Sequence, residues 1–389
     1  MLTYLTAGES HGPQLTAIIS GLPAGVPVAA AEINRELARR QQGYGRGQRM
    51  QIETDQVELL AGVRFGETTG NPLTLVIRNR DWENWRQQLS TAAADREAGR
   101  EVTRPRPGHA DLPGCLKFNH RDARNILERA SARETAIRVA TGAICKAFLA
   151  QFEIEVFSYV TAIGGLEVAT ATLAAVDDRE LARTAEKSPF RVPDPGLEEE
   201  LRRLVDQRQT AGDTLGGTFR VVARGLPPGI GSHIQADTRL DGRLAAALMS
   251  IQAIKGVEIG LGFRLAALPG SQAHDEIFYD RQRGFYHRTN RAGGLEGGIS
   301  NGEDIVVGAA MKPIPTLYQP LRSVDLHSKE PFQASVERSD ICAVPAAAVV
   351  GEAAVAIELS RALLEKFAGD HLEETKRNFA AYCRQVRSY

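Results

Sequence analysis

The chain has 389 residues, 43% of them hydrophobic and 24% charged, so it can bury a large core and has the composition of an ordinary globular protein. Its formal net charge of −1 argues against bulk electrostatic binding to nucleic acid or to a membrane surface. The apolar stretch 343–357 is too short and alanine-rich to span a bilayer, and the N-terminus lacks a signal-peptide pattern, so we expect a cytoplasmic protein.

The N-terminal part predicts a mixture of strands and helices. Residues 2–23 alternate and end in Gly-Leu-Pro, which predicts a β-hairpin. Residues 30–42 predict a short helix, and residues 73–78 predict a buried strand. The Ala-, Ile- and Leu-rich stretch 121–152 predicts one long helix.

The C-terminal part predicts the same mixture. The charged, proline-containing stretch 173–209 predicts two surface helices joined by a loop. The glycine-rich stretch 284–302 is typical of a mobile, functional loop. A strand is predicted at 305–310, then an Ala-rich helix at 345–367 and a polar helical tail.

An internal repeat relates the two parts of the chain. Residues 8–25 match residues 212–229 at a constant offset of 204, without gaps. We therefore predict an α+β fold in one domain, 1–389, with duplicated units near 1–160 and 205–389 and a helical insertion near 170–210. His11 in the first copy corresponds to Leu215 in the second, so one copy keeps a titratable side chain.

Arginines recur in segments rich in glycine and proline. Arg46 lies in Gly-Tyr-Gly-Arg-Gly, and Arg106 lies in Arg-Pro-Arg-Pro-Gly-His-Ala-Asp. Arg129 and Arg133 are four residues apart, which places them on one face of the predicted long helix. Guanidinium groups bind phosphate and carboxylate in bidentate fashion, so arginines gathered from several segments suit a small polyanion. Nucleic acid is the weaker interpretation, since no binding motif is present and aromatics make up 6%.

Each of these features also has a structural interpretation. Single arginines usually lie on solvated surfaces, and a lone histidine such as His11 is more often structural than catalytic. Asp340 fits a salt-bridged structural acid as well as a catalytic acid at a helix start. The segment 312–316 fits a rigid loop under a phosphate or a flavin ring, or a stiff turn. No metal-ligand spacing, GxGxxG fingerprint or P-loop is present, so we predict no metal and no Rossmann dinucleotide site.

In these segments the sequence resembles the chorismate synthase family over essentially its whole length. The motifs that carry the resemblance are Gly8-Glu9-Ser10-His11-Gly12, Arg39-Arg40 with Gly43-Tyr44-Gly45-Arg46-Gly47, Arg106-Pro107-Gly108-His109-Ala110-Asp111, Arg129-Ala130-Ser131-Ala132-Arg133-Glu134-Thr135, Gly297-Gly298-Ile299-Ser300-Asn301-Gly302, Lys312-Pro313-Ile314-Pro315-Thr316 and Arg338-Ser339-Asp340. Each motif is modest alone, but together and in this order they are specific.

The resemblance implies a carbon–oxygen lyase of the shikimate pathway. Its substrate would be 5-enolpyruvylshikimate 3-phosphate, and its reaction the 1,4-anti elimination of phosphate and a ring proton to give chorismate. The cofactor would be reduced FMN, used without net redox change. The resemblance also implies a homotetramer and a β-α-α-β sandwich, which agrees with the predicted duplication.

The resemblance further implies roles at matching positions. The substrate's phosphate and carboxylates would be held by Ser10, Arg40, Arg46, Arg49, Arg106, Arg133 and Arg338. The flavin would contact Arg129, Ala130, Ser131, Gln252, Ala253, Gly297, Lys312, Pro313, Ile314, Pro315, Thr316 and Arg338. His11 would protonate the leaving phosphate, His109 would protonate the reduced flavin, and Asp340 would assist proton removal at flavin N5. Arg40 and Arg46 also suit a phosphate of NADPH, and whether NADPH reduces the flavin here stays open.

Two other functions fit the arginine cluster. A flavin- or nicotinamide-dependent oxidoreductase with a polyanion site predicts net oxidation of its substrate. An anion-binding scaffold that assembles as a tetramer predicts no turnover with reduced flavin.

Overall fold

The fold is that of a computed structural model, which describes residues 1–47, 54–96, 101–337 and 339–389. The strands are β1 (Thr3–Ala7), β2 (Gln14–Ser20), β3 (Val57–Ala61), β4 (Val63–Arg64), β5 (Glu67–Thr68), β6 (Leu73–Arg78), β7 (Glu155–Ile163), β8 (Leu166–Glu167), β9 (Gly217–Arg224), β10 (Ile254–Ile259), β11 (Ile277–Asp280), β12 (Gly284–His287), β13 (Leu295–Glu296), β14 (Ile299–Ser300), β15 (Ile305–Met311), β16 (Arg322–Val324) and β17 (Pro331–Gln333). The α-helices are α1 (Ala30–Gln41), α2 (Asp111–Phe118), α3 (Arg124–Ala130), α4 (Thr135–Ala150), α5 (Thr170–Ala175), α6 (Asp178–Ala185), α7 (Glu198–Thr210), α8 (Leu240–Met249), α9 (Gly270–Ala273), α10 (Val344–Phe367) and α11 (Leu372–Ser388).

The first sheet has the antiparallel strand order β1-β2-β6-β3. Leu15, Ala17 and Ile19 alternate along β2 and are buried, which is the pattern of a strand with one face on a core. Gly8 follows β1 with φ at +113°, and a Cβ there would lie 2.3 Å from the carbonyl oxygen of Gln14. The turn therefore requires glycine, and the predicted hairpin is confirmed.

The second sheet has the order β10-β15-β9-β7-β8, also antiparallel. Its strands β7-β9-β15-β10 repeat the arrangement of β1-β2-β6-β3 in the first sheet. Helix α6 covers part of its outer face, where Leu181 and Ala185 pack with Phe157 and Tyr159. The strand predicted at 305–310 is confirmed as β15.

Helices fill the space between the two sheets. Helices α1 and α4 pack on the first sheet, α8 and α10 pack on the second, and α4 packs against α10. The two central helices approach closely at Gly142, where a Cβ would lie 2.3 Å from the Cβ of Ala353. These contacts give a β-α-α-β sandwich, so the predicted α+β class is confirmed.

The prediction of one long helix over 121–152 is wrong. Helix α3 ends at Ala130, Ser131 is extended with φ −62° and ψ 142°, and α4 begins at Thr135. The Ser131 hydroxyl accepts the Arg133 N–H at 3.3 Å, which caps the short 3-10 turn that follows. Because the helix is interrupted here, Arg129 is exposed and Arg133 is buried, and they do not share a helix face.

Three other predictions made from the sequence differ from the structure. The stretch 173–209 contains parts of three helices, α5, α6 and α7, instead of two. The stretch 284–302 contributes to two small hairpins, β11-β12 and β13-β14, because its glycines occupy turn positions. Strand β7 lies mostly within the predicted first unit, yet it pairs with β9 in the second sheet. The duplication itself stays a prediction.

Within the described ranges, no helix is both long and apolar enough to cross a membrane.

Candidate active site

A cavity of about 430 Å³ lies where segments from both parts of the chain converge. Its wall includes the turn after β1, the break between α3 and α4, the loop after β15 and the first turns of α10. The predicted residues that line it are Ser10, His11, Arg40, Arg46, Arg106, His109, Ala130, Ser131, Arg133, Gln252, Ala253, Lys312, Ile314, Pro315, Thr316 and Asp340. The structure therefore gathers residues that are hundreds of positions apart in the sequence.

Arg133 and Arg40 form one side of the wall, and both interact with the buried carboxylate of Asp55. Arg133 Nη1 donates to both Asp55 carboxylate oxygens at 2.6 and 2.8 Å, and Arg133 Nε and Nη2 donate to Asn79 Oδ1. Arg40 donates to Thr135 Oγ1 and to the Ala132 carbonyl oxygen, both at 2.9 Å. These bonds fix both guanidinium groups at the break between α3 and α4.

Arg40 retains an unused donor. Its Nη1 is buried, has no hydrogen-bond partner among the described residues, and lies 3.7 Å from the nearer carboxylate oxygen of Asp55. Burial lowers the pKa of Arg40 to about 10, with Asp55 partly offsetting it and Arg46 and Arg133 adding to it. The side chain remains cationic at neutral pH. A buried, charged donor whose hydrogen bond is not satisfied by the described residues favours an anionic ligand.

Arg46 reaches the cavity because its glycine-rich loop closes on the segment before α10. Gly45 has φ at +81°, and its carbonyl oxygen accepts the Ile341 N–H at 2.8 Å. Arg46 Nε then lies 3.4 Å from Asp340 Oδ2, while Asp340 Oδ1 accepts the Gly47 N–H at 2.6 Å. Asp340 is thus salt-bridged and also lines the cavity, so the geometry is compatible with both interpretations of this acid.

His11 follows β1 and contacts a buried carboxylate. Its Nδ1 lies 3.0 Å from both Glu128 oxygens, and its backbone N–H donates to Glu128 Oε2 at 2.9 Å. Trp85 stacks on the imidazole with ring centroids 4.0 Å apart. Burial opposes ionisation of Glu128, but its hydrogen bond and charge interaction with His11 outweigh burial and lower the pKa of Glu128.

His109 is also paired with a buried carboxylate. Its Nδ1 lies 2.5 Å from Asp111 Oδ1, and Arg106 Nε donates to Asp111 Oδ2 at 2.9 Å. Arg106 Nη1 donates to Thr316 Oγ1 at 2.8 Å, which joins this group to the loop after β15. Burial alone would raise the pKa of Asp111, but hydrogen bonds from His109 and Arg106 hold it well below its usual range.

Hydrogen bonds connect the loop after β15 to neighbouring segments of the chain. Lys312 N–H donates to the Ala253 carbonyl oxygen at 3.0 Å, and Thr214 Oγ1 donates to the Ile314 carbonyl oxygen at 2.8 Å. Ala253 adopts φ of +67°, a conformation that is unusual for a residue other than glycine. Gln252 Oε1 is a buried acceptor without a hydrogen-bond partner among the described residues.

Some predicted residues lie elsewhere. Arg129, Gly297 and Pro313 are exposed and are not in the wall of this cavity. Arg129 instead donates to the carbonyl oxygens of residues 6 and 8 at 3.0 Å, because the helix break turns it away from Arg133. The predictions for Arg49 and Arg338 fall outside the described residues.

Sequence reasoning missed several residues of the site. Glu128, Trp85, Asp55 and Asn79 carry no recognisable motif, and their roles depend on neighbours distant in the chain. Asp111 had a signal, since it follows His109 by two residues in a proline- and glycine-constrained segment. Among the described residues, no group of three His, Cys, Asp or Glu side chains is arranged to hold a metal ion.

Comparison with known proteins gives a consistent result. A family model described as chorismate synthase matches residues 2–364. Curated proteins named chorismate synthase from Pelobacter propionicus and Geobacter sulfurreducens are 61% and 59% identical, each alignment covering 100% of both chains. A solved structure titled "Crystal Structure of Chorismate Synthase" superposes with a TM-score of 0.82 at 47% identity, covering 100% of this chain and 99% of that one. The chain belongs to the chorismate synthase family.

Proposed function

We propose that this protein catalyses the elimination that gives its family its name, converting 5-enolpyruvylshikimate 3-phosphate to chorismate and phosphate. The enzyme is a carbon–oxygen lyase: the bond between carbon and the phosphate oxygen breaks, and phosphate leaves with the electron pair. A ring proton is lost from the opposite face, and a new carbon–carbon double bond forms. The observation that carries the proposal is Arg40 Nη1, which is buried, has no hydrogen-bond partner among the described residues, and shares the cavity wall with Arg46, Arg106 and Arg133.

The charges of the cavity suit this substrate. A phosphate and two carboxylates carry roughly three to four negative charges near neutral pH. Arg40, Arg46, Arg106 and Arg133 line the cavity, and each is oriented by a side-chain or backbone contact before any ligand binds. We assign these arginines and Ser10 to the substrate's anionic groups, because preoriented guanidinium groups bind such groups without reorganisation.

We propose His11 as the acid that protonates the leaving phosphate. It lines the cavity, and its contacts with a carboxylate and an aromatic face both attract a cationic ring. General-acid assistance of this kind typically contributes ~10²–10⁴-fold. Asp340 and His109 line the same cavity and are the groups we assign to the remaining proton transfers.

The remaining wall is compatible with a flavin. Small and apolar side chains of α10 (Ala346, Ala347 and Val350) line the cavity together with residues of the loop after β15, and apolar walls of this kind suit a flavin ring. Gln252 Oε1, which has no hydrogen-bond partner in the described ranges, offers an acceptor to a ring N–H. When bound, reduced FMN would supply electron chemistry that side chains lack. The residues that would hold it are Ala130, Ser131, Gln252, Ala253, Lys312, Ile314, Pro315 and Thr316.

We further propose that the enzyme is a cytoplasmic homotetramer. Arg129 and Gly297 are exposed and outside the cavity of their own chain, so we expect them to contact flavin bound to a neighbouring subunit. Sedimentation analysis of the purified protein tests the tetramer. Whether NADPH reduces the flavin is tested by following NADPH absorbance with FMN and no added reductase.

The assignment of Arg40 is tested by Arg40→Gln. Loss of charge-assisted hydrogen bonds, worth ~1.5–3 kcal/mol, predicts substrate binding about 10–100-fold weaker. The measurement is phosphate release without oxygen, in the presence of reduced FMN, at varied substrate concentration. Arg239→Gln is the matched control, because Arg239 pairs with Asp241 and is not in the cavity wall. Equal effects of the two variants on substrate binding would contradict the assignment.

A further inference from the structure

Glu128 contacts the turn that carries His11 in several ways. It lies near the end of α3 and is 3% exposed. Its backbone carbonyl accepts the Ser10 N–H at 2.9 Å, and its carboxylate accepts the His11 N–H at 2.9 Å. The same carboxylate lies 3.0 Å from His11 Nδ1. The carboxylate thus contacts both the backbone and the imidazole of one residue.

Arg124 and Trp85 hold this carboxylate and the imidazole in place. Arg124 Nη1 donates to Glu128 Oε1 at 3.0 Å, and the Arg124 guanidinium lies 5.0 Å from the centre of the Trp85 ring. Trp85 stacks on His11 with an angle of 24° between the ring planes. The imidazole is therefore constrained on one face by Trp85 and on its Nδ1 edge by Glu128.

This arrangement has a consequence for the proton. A carboxylate accepts hydrogen bonds, so Nδ1 must carry hydrogen in either charge state of His11. The proton that the ring gives up to a ligand is then the one on Nε2. We propose that Glu128 is a positioning residue for His11, fixing its tautomer and aiming Nε2 at the leaving phosphate. The proposal rests on the proposed role of His11 as the acid.

The predicted repeat places Leu215 where the first copy has His11. Leu215 lies just before β9, its N–H donates to the Ile341 carbonyl oxygen at 2.8 Å, and its side chain is 6% exposed in the core. A leucine offers no ring nitrogen for a carboxylate to orient, so the contact between Glu128 and His11 has no counterpart at this position.

A double-mutant cycle tests the proposal. The variants are Glu128→Gln, His11→Ala and both together, and the measurement is single-turnover phosphate release with reduced FMN and the phosphorylated ester, without oxygen. The amide of glutamine can donate to Nδ1 and so permits the wrong tautomer. We expect Glu128→Gln to slow release at least tenfold, within the ~10²–10⁴-fold attributed to the acid, with substrate affinity unchanged. When Glu128→Gln is added to His11→Ala, we expect the rate of phosphate release to change by less than about twofold.

Two further variants separate positioning from stability. Glu128→Asp keeps the charge and should recover part of the rate lost in Glu128→Gln. Glu358→Gln is the matched control, because Glu358 is 7% exposed, pairs with Arg243 and is not in the cavity wall. It should lower thermal stability without slowing release by the folded protein.

The outcomes distinguish the acid role of His11 from the positioning role of Glu128. Normal release by His11→Ala would refute the acid role and, with it, the positioning role. Slow release by His11→Ala combined with independent, multiplicative effects of Glu128→Gln would refute the positioning role alone. A rate loss in Glu128→Gln that tracks only the loss of folded protein would refute it as well.

Discussion

Glu352→Gln probes the contact between the helices at the centre of the sandwich. Glu352 lies in α10 and is 0% exposed. Its carboxylate accepts two hydrogen bonds from Arg39 at 2.7 and 2.8 Å, one from Lys146 at 2.7 Å and one from Ser158 at 2.6 Å. Arg191 Nη2 lies 3.4 Å away. Glu352 therefore links cations from α1, α4 and the segment before α7. Two more carboxylates complete the cluster: Glu36 pairs with Arg39 and Lys146, and Glu186 pairs with Arg39 and Arg191.

The variant keeps the shape of the side chain but removes its charge. Arg39, Lys146 and Arg191 would then keep only Glu36 and Glu186, which leaves the cluster with one positive charge in excess. Removing one partner of a buried ion pair costs roughly 3–5 kcal/mol. We expect a loss of that size in the free energy of unfolding, measured by chemical denaturation at pH 7. The control is Glu155→Gln, whose exposed pairing with Arg179 predicts a change within about 0.5 kcal/mol.

The effect has a defined pH dependence. Burial alone would raise the pKa of Glu352, but the charges of Arg39 and Lys146 outweigh burial and hold the pKa well below its usual range. Such a group stabilises the folded state above its unfolded pKa, about 4.3, and loses that contribution as pH falls toward its folded pKa. The difference in the free energy of unfolding between wild type and Glu352→Gln should therefore be largest near pH 7 and shrink below about pH 4. If Glu352→Gln loses no more unfolding free energy at pH 7 than Glu155→Gln, Glu352 does not stabilise the fold through its charge.

Three further predictions concern the site and the core. His11→Ala should slow phosphate release per folded molecule by about one to three powers of ten, whereas Leu215→Ala should lose ~2–5 kcal/mol of stability with turnover intact in the folded fraction. Normal release by folded His11→Ala, or slow release by folded Leu215→Ala, would contradict the functional asymmetry of the predicted repeat. Gly142→Ala should lower the melting temperature, because overpacking costs ~1–3 kcal/mol and helix propensity returns at most ~1 kcal/mol. Adding Ala353→Gly should recover little of the loss, since the new Cβ would still lie 2.5 Å from the Cα of residue 353; an unchanged melting temperature for Gly142→Ala would contradict the close approach of the two helices. Asp111→Asn should lower the melting temperature, because it removes the counter-charge of the buried Arg106; an unchanged melting temperature would argue against that arrangement.

Elements set by local periodicity could be predicted from the sequence. The first helix, strand β6 and helix α10 have apolar residues at the spacing of one buried face or along a buried run, and all three are confirmed. The prediction of one long helix over 121–152 was wrong because the composition of this stretch favours helix throughout. Its interruption depends on Ser131, whose hydroxyl bonds to the backbone two residues on and ends the helix there. A single serine in an Ala-rich stretch does not reveal that choice.

The site was predictable where constrained motifs carry its residues. Arg46, Arg106, His109 and the segment 312–316 lie in glycine- or proline-rich stretches, and the cavity includes all of these except Pro313. The partners of the catalytic candidates were not predictable, because Glu128 is 117 positions from His11 and their contact depends on how α3 packs beside β1. The pairing of a titratable group is a tertiary property, whereas its presence is a property of the sequence.

The redox balance of one turnover tests the central claim most directly. The purified protein, reduced FMN and 5-enolpyruvylshikimate 3-phosphate are mixed without oxygen, and phosphate, chorismate and the flavin spectrum are followed together. We predict one phosphate for each chorismate, with all the flavin still reduced when the substrate is exhausted. Flavin redox change in proportion to product would indicate an oxidoreductase, and binding without phosphate release would indicate a scaffold; either result would contradict the proposed elimination.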